Sequence, residues 1–178
     1  TRAERNEAPV TPPASPDDAE LARLVEALAQ VLCGRGWTLA TAESCTGGWI
    51  AKCCTDQAGS SAWFESGVVS YSNRAKRDLL GVDAGALERE GAVSRPVAMQ
   101  MAEGVRRRSG SQVALAVTGI AGPEGGSPDK PVGTVWFGWV VGERPVESEV
   151  VVFAGGRDAV RRQTVAHALQ GLLYRLVS

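Results

Sequence analysis

The sequence predicts an α/β protein, a three-layer α/β/α sandwich with a mixed, mostly parallel central sheet. Predicted helices and strands interleave along most of the chain, which is typical of a sheet covered by helices. Residues 112–117 are apolar after the first position, as in a strand that is covered on both faces. Two strands then follow one another before a closing helix, which indicates an antiparallel pair.

The first half of the chain contains two predicted strands and three predicted helices. Pro16 and the acids behind it begin a helix whose leucines and valines recur at helical spacing, and Gly34 and Gly36 stop it. The other elements, in chain order, are a strand at 38–42, a helix at 46–56, a strand at 65–71 and a short helix capped by Asn73.

The second half begins with a helix after Ser94 that ends near Gly110. It continues with the apolar strand at 112–117, a Gly- and Pro-rich loop at 118–131, strands at 132–141 and 147–152, and a final helix opened by the glycines before Arg157. Ser44, Tyr71 and Thr118 each fall at the end of a predicted strand. Because ligands of such sheets bind beyond the carboxyl ends of strands, these residues are expected at one edge.

Composition limits the class of protein. With 178 residues, 44% of them hydrophobic, the chain suits one domain, which we expect at 17–178 after a disordered tail at 1–16 rich in Pro, Ala and charge. A net charge of -1 gives no electrostatic reason for a nucleic-acid or membrane partner. The start lacks the apolar core of a signal peptide, so we expect reduced thiols and a cytoplasmic location.

A metal site is not expected. The four cysteines form no C-x-x-C pair, and the chain has one histidine, His167. That histidine lies deep in the last predicted helix, so an ordinary structural role is favoured over a Ser-His-Asp arrangement.

Residues 41–48 read TAESCTGG and connect a predicted strand to a helix. Such a turn points backbone N–H groups at one spot near a helix N-terminus, which suits a developing oxyanion. Ser44 could attack a carbonyl there if a base accepts its proton. The alternative is that Ser44 or Thr46 only caps the helix. Cys45 is a weaker candidate because a cysteine nucleophile usually needs a histidine partner.

A lysine is the remaining candidate for the base. The chain has only three, Lys52, Lys76 and Lys130. Tyr71 and Lys76 flank a strand-to-helix turn, where a phenol and a desolvated amine could enter one cleft. The alternative for Lys76 is a solvated position on a surface helix.

Two further segments are candidates for ligand binding. The glycines after Thr118 allow close approach of backbone to a ligand, although the order matches neither a Walker loop nor a dinucleotide fingerprint. Arg157 opens the final helix and shares a face with Arg161. It can hold a phosphate by a forked contact or form a surface salt bridge.

Five segments together resemble the CinA C-terminal domain family, bacterial nicotinamide-nucleotide amidases. They are TAESCTGG, SSAWFESGVVSYSNRAK, AVTGIAGPEGG, PVGTVWFGW and FAGGRDAVRRQT, in this order within roughly 19–178. The resemblance implies an α/β/α domain that converts nicotinamide mononucleotide to nicotinate mononucleotide and ammonia without metal or cofactor. It also implies self-association, so a homo-oligomer is expected.

By position, the resemblance makes Ser44 the nucleophile and gives Tyr71 and Lys76 roles in proton transfer. The oxyanion would be held by N–H groups from Thr46, Gly47 and Gly48. The matching ligand-binding residues are Thr118, Gly119, Gly122, Pro123, Gly126 and Arg157. Three alternatives stay open: Lys130 as the base, a different small amide as substrate, and a nucleotide-binding regulator without turnover.

Overall fold

The computed structural model describes residues 14–178, so most of the predicted tail at 1–16 lies outside the described residues. Within them the chain forms six α-helices and five strands. In chain order they are α1 (Asp18–Arg35), β1 (Leu39–Glu43), α2 (Trp49–Asp56), β2 (Phe64–Val69), α3 (Asn73–Leu80), α4 (Ala84–Glu90), α5 (Arg95–Ser109), β3 (Val113–Gly119), β4 (Thr134–Val141), β5 (Glu147–Val152) and α6 (Arg157–Val177).

The five strands form one sheet in the order β2-β1-β3-β4-β5. Strand β1 pairs in parallel with β2 and with β3, whereas β4 is antiparallel to both β3 and β5. Only β4 among these strands therefore runs against the others, which confirms the predicted mixed, mostly parallel sheet. The carboxyl ends of β1, β2 and β3 therefore lie at one edge, with β1 between β2 and β3.

Helices cover both faces of the sheet, which confirms the three layers. Side chains of α1, α2 and α6 pack with Leu115 and Phe137 in one core, and side chains of α3, α4 and α5 pack with Ala114 and Ala116 in the other. Gly138 lets α5 approach β4, because a Cβ at that position would lie 2.6 Å from the carbonyl oxygen of Ala98. Among the helices of residues 14–178, none has the length and apolar character needed to cross a membrane.

Two local predictions need correction, and one helix has no counterpart in the prediction. The cap of α3 is Ser72 rather than Asn73, because the Ser72 hydroxyl accepts a hydrogen bond from the N–H of Ala75 at 3.0 Å. Helix α2 begins at Trp49 and not at 46, because Gly47 and Gly48 adopt positive φ and hold the chain in a turn. Helix α4 was not predicted. It is short, and its start is signalled only by Asp83, whose carboxylate accepts from the N–H of Ala86.

Candidate active site

The residues expected at one edge lie at the carboxyl ends of the parallel strands. Ser44 directly follows β1, and the segment from Ser70 to Lys76 follows β2. The N–H of Ser70 donates to the carbonyl of Glu43 at 2.9 Å, which joins the two segments beyond the last strand pair. Two parts of the chain that are distant in sequence therefore lie side by side at this edge of the sheet.

Lys76 is the most unusual side chain of this edge, because it is a lysine with only 1% of its surface exposed. Its Nζ lies 2.9 Å from the Oγ of Ser44, 2.9 Å from the carbonyl oxygen of Ser70 and 3.0 Å from that of Tyr71. Desolvation by burial lowers the pKa of Lys76 from 10.5 to about 8, against an opposing effect of Cys45. A substantial fraction of the amine is therefore neutral slightly above neutral pH.

The contacts of Lys76 define where its lone pair points. A neutral amine has two N–H groups and one lone pair, and the two carbonyl oxygens can only accept hydrogen bonds. The N–H groups therefore donate to Ser70 and Tyr71, and the lone pair is directed at the Ser44 hydroxyl. This is the arrangement of a base that accepts a proton from a nucleophile.

Glu43, the last residue of β1, fixes the turn that presents Ser44. Its buried carboxylate accepts hydrogen bonds from the Thr46 hydroxyl at 2.6 Å, from the N–H of Ile50 at 2.9 Å and from the N–H of Ala51 at 3.0 Å. The N–H groups of Ile50 and Ala51 belong to the first turn of α2, where a carboxylate is favourable. The helix is thus capped by Glu43, and Ser44 is not needed as a cap.

The backbone of the turn also presents donors. The N–H of Gly47 donates to the carbonyl of Ser44 at 3.1 Å, so this predicted oxyanion donor is already engaged. For the N–H groups of Cys45, Thr46 and Gly48, no acceptor exists among residues 14–178. The prediction named Thr46 and Gly48 but missed Cys45, the residue after the nucleophile, which commonly supplies such a donor.

Arg161 of α6 binds the same turn from its carbonyl side. Its Nε donates to the carbonyl of Cys45 at 3.0 Å and its Nη2 to that of Thr46 at 3.1 Å. It also borders a cavity of about 420 Å³, whose other lining residues are Asp18, Thr46, Gly47, Gly48, Trp49, Lys52 and Arg162. The sequence indicated Arg161 only through its position four residues after Arg157.

A thiol nucleophile is disfavoured at this turn. Cys45 is buried, and desolvation raises the pKa of its thiol to about 12. Burial likewise raises the pKa of Cys54, and that of Cys53 to about 11. These three cysteines are therefore protonated at neutral pH, whereas the Ser44 hydroxyl has a base beside it.

Comparison with known proteins identifies the family of this chain. The model of the CinA C-terminal domain matches residues 21–176. This chain belongs to the CinA C-terminal domain family. The resemblance seen in the sequence is thereby confirmed.

Relatives of this CinA C-terminal domain cover most of the chain. Nicotinamide-nucleotide amidohydrolase PncC of Escherichia coli K12 is 52% identical over 155 residues, 87% of this chain and 94% of that protein. A CinA-like protein of Geotalea daltonii is 57% identical over 143 residues, which are 34% of its own length.

Solved structures have the same fold. The competence damage-inducible protein A of Klebsiella pneumoniae MGH 78578 superposes with a TM-score of 0.85 at 40% identity, covering 88% of this chain and 97% of that one. The competence/damage inducible protein CihA of Agrobacterium tumefaciens gives a TM-score of 0.86 at 43% identity, covering 93% and 99%.

Tyr71 and Arg157 of this CinA C-terminal domain contact one another. The Tyr71 side chain is 63% exposed, and its phenol lies 3.4 Å from the Nη2 of Arg157. Lys76 contacts Tyr71 only through the main-chain carbonyl. Arg157 also donates to the carbonyl of Gly122 at 2.7 Å, so it connects the glycine-rich loop to the segment after β2.

The glycine-rich loop is packed against the start of β4 and against Val132, which precedes it. A Cβ at Gly119 would lie 2.7 Å from Val135, and a Cβ at Gly122 or Gly126 would lie 2.4 Å or 2.8 Å from Val132. The Thr118 hydroxyl is also engaged, because it donates to the carbonyl of Ala92. Close packing within the protein thus accounts for these glycines, while Pro123 is exposed beside them.

The alternative basic residues contact other groups. The ammonium of Lys130 donates to the carbonyl of Glu90, and Lys52 pairs with Asp56 on the exposed face of α2. His167 contacts Glu149 at 2.9 Å and packs on Phe137, as expected for a structural histidine. Of the three lysines, Lys76 is the one in contact with Ser44. Within residues 14–178, no cluster of three His, Cys, Asp or Glu side chains could hold a metal.

Proposed function

We propose that this domain hydrolyses the carboxamide of nicotinamide mononucleotide to nicotinate mononucleotide and ammonia, and that Ser44 forms the acyl-enzyme. The observation that carries the proposal is the 2.9 Å contact between the Oγ of Ser44 and the buried Nζ of Lys76. The nature of the substrate is supported by the 52% identical relatives, which are named nicotinamide-nucleotide amidohydrolases.

In the first step the neutral amine of Lys76 accepts the proton of Ser44 while Oγ attacks the amide carbon. The C=O bond becomes a single bond to an oxyanion. The N–H groups of Cys45 and Thr46 are available to hold this oxyanion, a contribution of about 3–4 kcal/mol for each donor. The protonated Lys76 retains both carbonyl acceptors, so its charge is solvated by main-chain dipoles.

In the second step the C–N bond breaks, and the protonated Lys76 delivers its proton to the departing ammonia. A water molecule then loses a proton to Lys76 and attacks the ester carbon. The Oγ–C bond breaks, Ser44 regains its proton, and the carboxylic acid leaves. One amide and one water give one acid and one ammonia, and Lys76 returns to its neutral state.

For the nucleotide portion of the substrate, we propose Tyr71 and Arg157 as contacts. Their side chains are exposed, and the Tyr71 hydroxyl lies 3.4 Å from the Nη2 of Arg157. We call Ser44 and Lys76 the dyad. A guanidinium suits a phosphate because of its forked donors. Lys76 contacts the main-chain carbonyl of the same Tyr71, so we assign the carboxamide to the buried Ser44–Lys76 pair and the phosphate to Arg157.

A nucleotide-binding regulator without turnover is less well supported. Binding alone gives no reason to bury a lysine against a serine hydroxyl at a cost in desolvation. An amidase for a different small amide would use the same Ser44–Lys76 dyad. The substrate is therefore identified by comparing ammonia release from several amides.

The test is ammonia release from nicotinamide mononucleotide, nicotinamide and nicotinamide riboside, with Ser44→Ala as the matched variant. We expect release from the mononucleotide and none from Ser44→Ala, which folds as wild type. Intact-protein mass spectrometry after rapid quenching should detect a nicotinyl-nucleotide adduct on Ser44. Binding without ammonia release would support the regulator, and preference for another amide would change the substrate.

We further propose that the active unit is the single domain at 17–178, assembled as a homo-oligomer. The single sheet with helices on both faces supports the first part. Sedimentation of the purified chain tests the second.

A further inference from the structure

We propose that Arg161 is a positioning residue that orients the Cys45–Thr46 peptide so that the N–H of Thr46 faces the developing oxyanion. The inference rests on the proposed function. Arg161 does not touch the Ser44–Lys76 pair. It acts from the opposite side of the turn, where its Nε donates to the carbonyl of Cys45 at 3.0 Å and its Nη2 to the carbonyl of Thr46 at 3.1 Å.

The geometry of the peptide bond links these contacts to the N–H groups. A trans peptide is planar, and its C=O and N–H point in opposite directions. The carbonyl of Cys45 belongs to the same peptide as the N–H of Thr46. When Arg161 holds that carbonyl, it fixes the N–H of Thr46 on the other side, away from α6.

The neighbouring peptides of the turn have anchors of their own. The carbonyl of Ser44 accepts from the N–H of Gly47 at 3.1 Å, and this contact fixes the N–H of Cys45. The carbonyl of Thr46 accepts from the N–H of Trp49 at 3.1 Å as well as from Arg161. Within the described part of the chain, the carbonyl of Cys45 accepts from Arg161 alone. Loss of Arg161 therefore frees one peptide in particular.

The arginine is suited to this role in two ways. Its planar fork presents Nε and Nη2 to the two carbonyls in a fixed relative geometry, whereas a lysine has one nitrogen on a flexible stem. It is held in place by the Trp49 ring, whose centroid lies 5.6 Å from the guanidinium carbon. A cation on the carbonyl also polarises the peptide and strengthens the opposite N–H as a donor.

The experiment compares Arg161→Lys with Arg162→Lys. Arg162 is a matched control because it lies next to Arg161 in α6 and also over Trp49, at 4.8 Å, but it pairs with Asp18 at 2.6 Å and does not bind the turn. With one oxyanion donor misplaced, kcat of Arg161→Lys should fall about 10²-fold while KM and the pH midpoint of kcat/KM stay unchanged. Arg162→Lys should retain kcat. An unchanged kcat in Arg161→Lys, or a loss expressed in KM, overturns the inference.

A second measurement is independent of the substrate. A fluorophosphonate forms an Oγ–P bond with Ser44 and releases fluoride, and its phosphoryl oxygen needs the same donors. Labelling should be slower in Arg161→Lys than in Arg162→Lys. If Arg161→Lys labels more slowly but the wild type releases no ammonia from nicotinamide mononucleotide, the proposed substrate is refuted and the role of Arg161 is supported. Equal labelling rates in the two variants overturn that role.

If Arg161→Lys does not fold, Arg161→Ala with added ethylguanidinium replaces it. Restoration of the labelling rate by the soluble cation is expected, because it can occupy the vacated contact with the carbonyls. A folded Arg161→Ala that labels at the wild-type rate without the cation contradicts the inference.

Discussion

The amine of Lys76 meets the hydroxyl of Ser44 at 2.9 Å across a sequence separation of 32 residues. The contact depends on three local features. Glu43 holds the turn after β1, the Ser70 N–H ties the chain after β2 to that turn, and Ser72 caps the helix that carries Lys76. The base and the nucleophile are thus placed by hydrogen bonds of the segments that follow two adjacent parallel strands.

The first prediction concerns the pH dependence of activity. If the neutral amine of Lys76 is the base, kcat/KM rises about tenfold per pH unit at acidic pH and levels off above about 8, the lowered pKa of the buried lysine. Lys76→Arg, which cannot lose its proton, should reduce kcat/KM by about 10²–10⁴-fold at every pH. The rates are measured by ammonia release. A profile that stays flat through pH 8 would assign the base elsewhere.

The second prediction concerns stability and pH. The pKa of Lys76 is about 8 in the folded chain and 10.5 in the unfolded one, so between these values the unfolded state binds more protons. The free energy of unfolding should therefore rise with pH across this window, by on the order of 3 kcal/mol relative to Lys76→Met. Below pH 8 Lys76 is charged in both the folded and the unfolded state, so the full cost of burying the ammonium lowers the free energy of unfolding.

Urea denaturation of wild type and Lys76→Met at several pH values measures this difference. Subtracting the free energies of unfolding of the two proteins at each pH cancels the contributions of other groups that titrate in the same range. Parallel pH dependence of the two proteins would contradict the lowered pKa.

Much of the fold could be predicted from pattern alone. The apolar strand Val113–Gly119 and the periodic helices α1 and α6 are signals that lie within one segment each, so tertiary structure need not be known to read them. Elements with weak local signals were missed or shifted. Helix α4 has seven residues and little periodicity, and α2 starts late because Gly47 and Gly48 adopt positive φ.

The site was predictable in its residue types but not in its contacts. With three lysines and one histidine in the chain, a lysine was the remaining candidate for the base, and Lys130 stayed open beside Lys76. The direct contact to Ser44, the carbonyl acceptors and the anchoring by Arg161 depend on the register between β1 and β2 and on the packing of α6. Neither can be read from a local motif. The glycines after Thr118 illustrate the limit, since close packing against Val132 and Val135 and the binding of a ligand would both favour the same sequence pattern.

The third prediction separates the serine from its neighbour. Cys45→Ala should retain kcat within a few-fold, because the buried thiol has a pKa raised to about 12 and cannot serve as a thiolate. Iodoacetamide at neutral pH should modify the exposed Cys33 and leave Cys45 and Cys54 intact. Peptide mapping by mass spectrometry locates the label. Inactivation that parallels modification of Cys45 would reopen a thiol mechanism.

The fourth prediction addresses the phenol of Tyr71. Tyr71→Phe removes the contact to Arg157 but keeps the main-chain carbonyl that Lys76 binds. The pH midpoint of kcat/KM should therefore stay near 8, and the change should appear in KM. Tyr174→Phe is a matched control, since Tyr174 is the other tyrosine and is 67% exposed on α6. A large fall in kcat with a displaced midpoint would instead favour a proton relay through the phenol.

The fifth prediction concerns the carboxylate that holds the nucleophile turn. Glu43→Gln replaces one acceptor oxygen by an NH₂ group, which then faces N–H or O–H donors that the carboxylate now binds. Loss of a hydrogen bond to a buried charged group should lower the free energy of unfolding by about 1.5–3 kcal/mol.

Because the same turn carries Ser44 and the N–H groups of Cys45 and Thr46, kcat should fall together with stability. Glu65→Gln on the exposed face of β2 is the control, and it should change neither quantity. Urea denaturation and ammonia release on both variants give the two numbers. A Glu43→Gln protein as stable and as active as Glu65→Gln would show that the turn keeps its conformation without the carboxylate.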